Sequence, residues 1–281
     1  MEVLKVRNLC KKYPSFELKS VSFAIEKGKI TGFIGRNGAG KSTTLNSLFH
    51  FIHPDAGEIT FFGQDIVTDE LGIKQKVGFV SNGVSYYTKK KLKTITKVTK
   101  SFYQDWDHKA YLRYMELFQL DENKTPSQLS AGMKVKYAIV LALSHNAELL
   151  ILDEPTSGLD SVSRDELLDI FMDLCDEGKS ILFSTHITSD LDKCADNIIY
   201  LKNGQVIAEK KMKDFVEEYK VVTYQKEQIS SEKEALLIGE KRTKDGLSAL
   251  VKTSDVTRLG MPVENADLES IMVHFEKEEE L

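Results

Sequence analysis

The chain of 281 residues is poor in cysteine, in long apolar runs and in excess charge of one sign, and each shortage excludes something. Its three cysteines, Cys10, Cys175 and Cys194, are odd in number and scattered. That is not a disulfide framework, and it suits a reducing compartment. None forms a C-x-x-C pair, so a metal or redox centre built on cysteine is not expected. The longest apolar runs, such as AIVLAL and LLIL, fall far short of the ~18 residues a membrane helix needs. The first residues, MEVLKVRNLC, show neither the apolar core nor the small-residue cleavage site of a signal peptide. The chain is expected not to span a bilayer, so any membrane role must come from docking on another polypeptide. A formal net charge of -5 argues against nucleic-acid binding through bulk charge. No heptad repeat is sustained, which excludes a long coiled coil. A composition 41% hydrophobic and 29% charged describes an ordinary soluble globular protein. The length allows one large domain or two smaller ones.

The apolar pattern divides the chain. EVLKV, LKSVSFAIE and KITGFIG read as strands, the last a continuous apolar run ending in glycine, as in a buried strand. Helical spacing is expected from Lys41 to about Phe51, stopped by Pro54 and Gly57, after which EITFFG is extended. Between Ser101 and Leu120 the apolar residues Tyr111, Leu112, Met115, Leu117 and Phe118 recur at helix spacing. A second helix is expected from Ser130, with Val135, Ala138, Ile139 and Ala142 on one face. This middle region reads as a helical insert. Strand and helix then alternate again through LLIL, Val162–Leu174, SILFST and a helix near Asp190. IIYLKNGQVIAE reads as a hairpin about Asn203-Gly204. After about residue 216 comes a smaller piece, with strands in VVTYQ and ALLIG, a helix in DLESIMVHF and a solvated acidic end.

Residues 35–43, GRNGAGKST, fit G-x-x-x-x-G-K-[ST] between an expected strand and an expected helix. Glycines let backbone N–H groups approach phosphates, and the helix N-terminus adds partial positive charge there. Gly35, Arg36, Asn37, Gly38, Ala39, Gly40, Lys41, Ser42 and Thr43 are therefore the candidate nucleotide-binding loop. Lys41 would reach the terminal phosphates and Ser42 would offer its hydroxyl to Mg²⁺. The bland alternative is a glycine-rich turn. LLILDEP places Asp153 and Glu154 at the carboxyl end of a buried strand, the edge where open α/β sheets bind ligands. Asp153 suits Mg²⁺, and Glu154 can accept a proton from an attacking water. The bland alternative is a charged strand end before a turn at Pro155. SILFSTH ends a further strand on His186, where the imidazole can hold a phosphate and water in place. The remaining histidines, His50, His53, His108, His145 and His274, lack metal-ligand spacing.

GRNGAGKST, LSAGMK, LLILDEP, SGLD and STH occur in that order. Together they resemble the nucleotide-binding subunit of ATP-binding cassette (ABC) transporters over roughly residues 1 to 215. The resemblance implies an α/β phosphate-loop ATPase core with an antiparallel β subdomain and an inserted helical subdomain at about 84–147. The expected domains are thus 1–215 and a small C-terminal α+β appendage, 216–281. It implies an ATPase using ATP and Mg²⁺, working as a head-to-tail homodimer or heterodimer. Ser130 and Gly132 of one subunit would contact the γ-phosphate held by the other, and Asp160 would cross between them. Taken alone, Ser130 is an N-cap and Asp160 a helix-starting turn. Tyr13 stands where the family stacks an aromatic ring on adenine, although a strand-end tyrosine is the plainer reading.

The chain departs from the family pattern at Ala131, usually glycine, at Met133, usually glutamine, and at Asn82. VGFV is followed in the family by one residue and then a glutamine that reaches Mg²⁺ and the attacking water. Here that position is Asn82, one methylene shorter, and Asn82-Gly83 also reads as a hairpin turn. FYQDWD, SRDELLDI and DLESIMVHF look like the bacterial branch serving ABC-2-type exporters. The implied partner is a separate membrane permease, with the ATPase peripheral on the inner face of the cell membrane. Trp106 would then lie near that permease or in the core of the helical insert. The rival reading, a soluble cassette ATPase acting on ribosomes or DNA, expects two cassettes or a long coiled coil. A silent regulatory module is disfavoured by Lys41, Asp153, Glu154 and His186 all being present.

Overall fold

A computed structural model describes residues 1–81, 86–244 and 246–278. The chain divides into two compact units, Met1–His186 with Lys193–Glu209, and Ile187–Asp192 with Lys210–Leu281. The elements begin with β1 (Glu2–Tyr13), β2 (Phe16–Glu26), β3 (Ile30–Ile34), α1 (Lys41–Leu48), β4 (Ala56–Phe61), β5 (Gln64–Asp65), α2 (Glu70–Lys76) and β6 (Val77–Ser81). They continue with α3 (Leu92–Lys100), α4 (His108–Leu117), α5 (Ala131–Ser144), β7 (Leu149–Asp153), α6 (Ser161–Asp176), β8 (Ser180–Thr185), α7 (Thr188–Cys194), β9 (Asn197–Lys202) and β10 (Gln205–Lys211).

Two sheets organise the first unit. An antiparallel sheet has the order β2-β1-β4-β5, and a six-stranded sheet the order β10-β9-β3-β8-β7-β6. The pairs β3–β8, β3–β9, β7–β8 and β6–β7 are parallel. Every residue of β3, β7 and β8 is buried. That is why ITGFI, LLILD and SILFST read as unbroken apolar runs: both faces of a parallel sheet are covered. In β9–β10, Asn203 and Gly204 form a two-residue turn with φ of 48° and 75°. Two consecutive positive φ values are the signature of the type I′ hairpin, so the expectation from Asn-Gly is met here. The first unit is thus an α/β architecture with an antiparallel sheet, a mainly parallel sheet and a helical insert.

Several helices differ from the expected ones. The helix expected from Ser101 begins only at His108, because the Asp107 carboxylate caps it by accepting from the N–H groups of Lys109 and Ala110. The aromatic residues before it make tertiary contacts instead. Tyr103 stacks on His145 at 3.8 Å between ring centroids, and Trp106 packs 5.9 Å from Tyr111. Two helices, α2 and α3, were not expected. Helix α3, LKTITKVTK, is rich in lysine and β-branched threonine and buries only Leu92, Ile95 and Thr96. Its helix propensity is weak and its apolar stripe thin. Inside the insert, Thr96 Oγ1 meets the hydroxyls of Tyr111 (3.2 Å) and Tyr137 (2.8 Å), and Tyr137 donates to the Leu92 carbonyl. This buried hydroxyl network ties α3, α4 and α5 together. Helix α1 ends at Leu48 and not at Phe51, with His50 in the left-handed region at φ 56°.

His145 follows the last residue of α5 and is 4% exposed. Its Nδ1–H donates to the Gln75 carbonyl at 2.9 Å. Burial pushes its pKa down to about 4 from the ordinary 6.5; the Gln75 bond opposes this and the nearby Lys179 charge adds to it. A His held neutral in the fold makes the unfolded chain the stronger proton binder between those values. Its contribution is complete above about pH 6.5 and lost as pH falls toward 4. Between about pH 7.5 and about pH 5 this site should remove roughly 2 kcal/mol of stability. Urea unfolding of the parent and of His145→Gln should show it: the parent loses that much more than the variant over the interval. Equal losses would refute the assignment. The buried His274 shifts in the same direction, so only the difference between the two proteins isolates His145.

The second unit has its own sheet. Its elements are α8 (Met212–Glu217), β11 (Tyr219–Tyr224), α9 (Ser231–Glu234), β12 (Leu237–Thr243), β13 (Gly246–Lys252), α10 (Val256–Leu259), β14 (Glu264–Asn265) and α11 (Leu268–Lys277). The strand order is β12-β13-β11-β14, all antiparallel, around Val222, Tyr224, Ala249, Val251 and Leu259.

Candidate functional site

The loop between β3 and α1 is built by glycine. Gly38 and Gly40 have φ of 86° and 109°, values an L side chain rarely adopts. Gly40 ends the loop as the N-cap of α1, so the first N–H groups of that helix face the cleft. The cleft, about 610 Å³, is lined by Arg36, Asn37, Gly38, Gly40, Lys41, Ser42 and Thr43 from the loop, and by Glu154 and His186 from the carboxyl ends of β7 and β8. Parallel register explains the convergence. β7 and β8 both neighbour the sheet centre and stop at the same edge as β3.

Lys41 is 5% exposed. Its ammonium donates to the Gly35 carbonyl at 2.7 Å and lies 3.4 Å from Glu154 Oε1. The other oxygen, Oε2, accepts from His186 Nδ1 at 2.8 Å. A carboxylate only accepts, so the imidazole carries its proton on Nδ1. Its Nε2 can then donate to an anion only as the imidazolium. Glu154 has a left-handed backbone at φ 50°, costly for a non-glycine residue. Its N–H donates to Ser184 Oγ at 2.9 Å, and Ser184 in turn donates to Asp153 Oδ1 at 2.7 Å. Ser184 thus fixes both acidic residues from the neighbouring strand. It stands two residues before His186, which follows directly on the end of β8. Sequence reading passed over Ser184, and also Ser15, Phe16 and Ser157, which line the cleft.

The arrangement suits a triphosphate with a hard cation. Among the described residues no group of three or more His, Cys, Asp or Glu could hold a metal ion alone. Mg²⁺ commonly takes one or two protein oxygens and fills its shell with water and substrate phosphate. The Ser42 hydroxyl and the buried Asp153 carboxylate are oxygen donors of that kind. Asn82, the third expected metal contact, lies outside the described residues.

Tyr13, Ser130 and Asp160 are not among the residues that line this cleft. Tyr13 ends β1, is 38% exposed, and faces Phe16 as its cross-strand partner. Ser130 caps α5 by accepting from the Met133 N–H at 3.2 Å, and it lines a second hollow with Gly132, Met133 and Lys136. Asp160 caps α6. The Ser163 backbone N–H, with the Ser163 hydroxyl, holds its carboxyl below the usual range. Within one subunit, Ser130 and residues 36–38 and 40–43 therefore line different hollows.

The ABC transporter family profile matches residues 18–157. The ATP-binding protein YtrB of Bacillus subtilis (strain 168) is 31% identical over 203 residues, covering 72% of this chain and 69% of that protein. The lantibiotic transport ATP-binding protein SrtF of Streptococcus pyogenes is 34% identical over 216 residues, covering 74% of this chain and 90% of that protein. The solved ATP-binding subunit of an ABC transporter superposes with a TM-score of 0.68 at 28% identity, covering 75% of this chain and 91% of the other. The chain belongs to the ABC transporter family, as an ATP-binding and ATP-hydrolysing subunit of its ABC-2-type exporter branch.

Proposed function

We propose that Glu154 is the general base of ATP hydrolysis, and that Lys41 and His186 stabilise the charge that builds on the γ-phosphate. The observation that carries this is the ion-paired and hydrogen-bonded carboxylate of Glu154, set in the phosphate cleft with both groups on it. Phosphoryl transfer is mostly positioning and electrostatics, and these residues supply both. Residues 35–43 cradle the phosphates, and Tyr13 stacks on adenine. Ser42 and Asp153 would hold Mg²⁺, with Asn82 as the expected further amide ligand. When bound, the cation would supply neutralisation of phosphate charge. Ser130 and Gly132 of a second subunit close on the γ-phosphate, and Asp160 links the two sites. The Ser130 hydroxyl accepts at its own helix start and keeps its proton to donate outward.

The subunit drives a separately encoded permease from the inner face of the membrane, exporting an antibiotic, peptide or cell-envelope compound. Residues from about 216 form an accessory domain. The permease docks in a groove of about 420 Å³ beside β6, lined by Phe51, Phe79, Tyr86 and Tyr103 among others. Phe51 is 61% exposed and Tyr86 50%, an unusual display of aromatic surface. The test is purification from detergent-solubilised membranes with identification of the bound integral protein. Phe51→Asp should lower recovery of that protein by at least about tenfold, as loss of a central anchor does, while basal ATPase stays near the parent rate. Equal recovery from both proteins would exclude the groove. Absence of any bound membrane protein would exclude the permease.

A further inference from the structure

The cleft is not the only neighbour of the phosphate loop. Behind it sits the hairpin turn Asn203-Gly204. The Gly204 N–H donates to the Ala39 carbonyl at 3.0 Å, and the Gly204 carbonyl accepts from the Lys19 N–H at 2.8 Å. The turn is therefore bonded to the phosphate loop on one side and to β2 on the other. It has no room to retreat. A Cβ at position 204 would stand 1.9 Å from the Glu17 carbonyl oxygen. The loop presses on the same hairpin a second time, since a Cβ at Gly35 would stand 2.2 Å from the Leu201 carbonyl oxygen.

We propose that Gly204 is a positioning residue for phosphate binding, acting through the Ala39–Gly40 peptide. In a trans peptide the C=O and the following N–H point in opposite directions. Holding the Ala39 carbonyl from behind turns the Gly40 N–H the other way, toward the cleft that Gly40 lines. A loop built on glycine has little rotamer or Cβ constraint of its own. Its amide directions must be imposed from outside, and the Gly204 N–H imposes one of them. Glycine suits this position, because the φ of 75° strains any L side chain and a Cβ would force Glu17 or the turn to shift.

The proposal rests on the reading of residues 35–43 as a phosphate loop, and the test separates the two. Calorimetric titration of the full chain with MgATP and with tripolyphosphate, which has no base, measures the loop directly. Gly204→Ala should weaken both by about tenfold, in the manner of a sub-ångström misplacement of binding groups. The matched control is Gly63→Ala. Gly63 has a similar φ of 79° in a turn with open space around it. That variant should lose stability from backbone strain yet hold both affinities within about twofold. Parent-like binding by Gly204→Ala, or an equal loss in Gly63→Ala, overturns the proposal. If Gly204→Ala does not fold, hydrogen exchange of the Gly204 amide in the unmodified chain decides: tripolyphosphate should slow it at least about threefold by reciprocal coupling, and an unchanged rate overturns the proposal. Failure of the unmodified chain to bind tripolyphosphate overturns the phosphate-loop reading and this proposal with it.

Discussion

Glu154→Gln is expected to lower ATP turnover by a factor of about 10² to 10⁴, the range removed with a general base. Glutamine keeps the volume and can still accept from His186 Nδ1, which now meets Glu154 at 2.8 Å. It cannot accept a proton from water. The same change removes the anion 3.4 Å from the Lys41 ammonium, leaving that cation for phosphate. Affinity for ATP should therefore hold or improve while hydrolysis stops. The variant should collect as a nucleotide-bound dimer, visible by size-exclusion chromatography in ATP and absent in ADP. Turnover within about tenfold of the parent would remove Glu154 from the role, since a displaced base costs more than that.

Lys41→Met has the opposite signature. The methionine preserves most of the buried stem but leaves the Gly35 carbonyl without its 2.7 Å partner. A charge-assisted hydrogen bond is worth about 1.5–3 kcal/mol, so ATP affinity should fall by roughly 10- to 100-fold. Adenosine, with no phosphate, should bind the variant and the parent alike. The difference between the two ligands isolates the phosphate contact from general disturbance of the cleft. A parallel loss for adenosine would mean that Lys41 supports the loop and not the ligand. Together the two variants separate affinity, lost in one, from chemistry, lost in the other.

Much of this site was legible because its chemistry is contiguous. The phosphate loop, the acidic pair and the histidine each occupy a few adjacent residues next to unbroken apolar strands. Such strands are the clearest signal a buried parallel sheet leaves. What stayed hidden depends on contacts distant in sequence. Ser184 fixes Asp153 and Glu154 across a strand boundary, and nothing in SILFST distinguishes its serines from any other strand residues. Helix α3 was missed because its buried stripe is thin and its threonines serve the hydroxyl network around Tyr137. The start of α4 was placed too early because the aromatics of FYQDWD mimic helical spacing while packing on His145 and Tyr111. The Asn-Gly pairs show the limit most sharply. Asn37-Gly38 lies in the loop and Asn203-Gly204 makes a hairpin, yet the dipeptides are identical.

The resting contact between Lys41 and Glu154 amounts to an interlock. The two groups proposed to act on different parts of the reaction, one on phosphate and one on water, are ion-paired with each other. A ligand oxygen that draws the ammonium to itself would free the carboxylate. Arrival of the phosphate to be attacked and release of the base then become a single exchange of partners. One ammonium is thus shared by two claimants, a phosphate oxygen and the Glu154 carboxylate, and ligand affinity and base availability are tied together with no separate regulatory part.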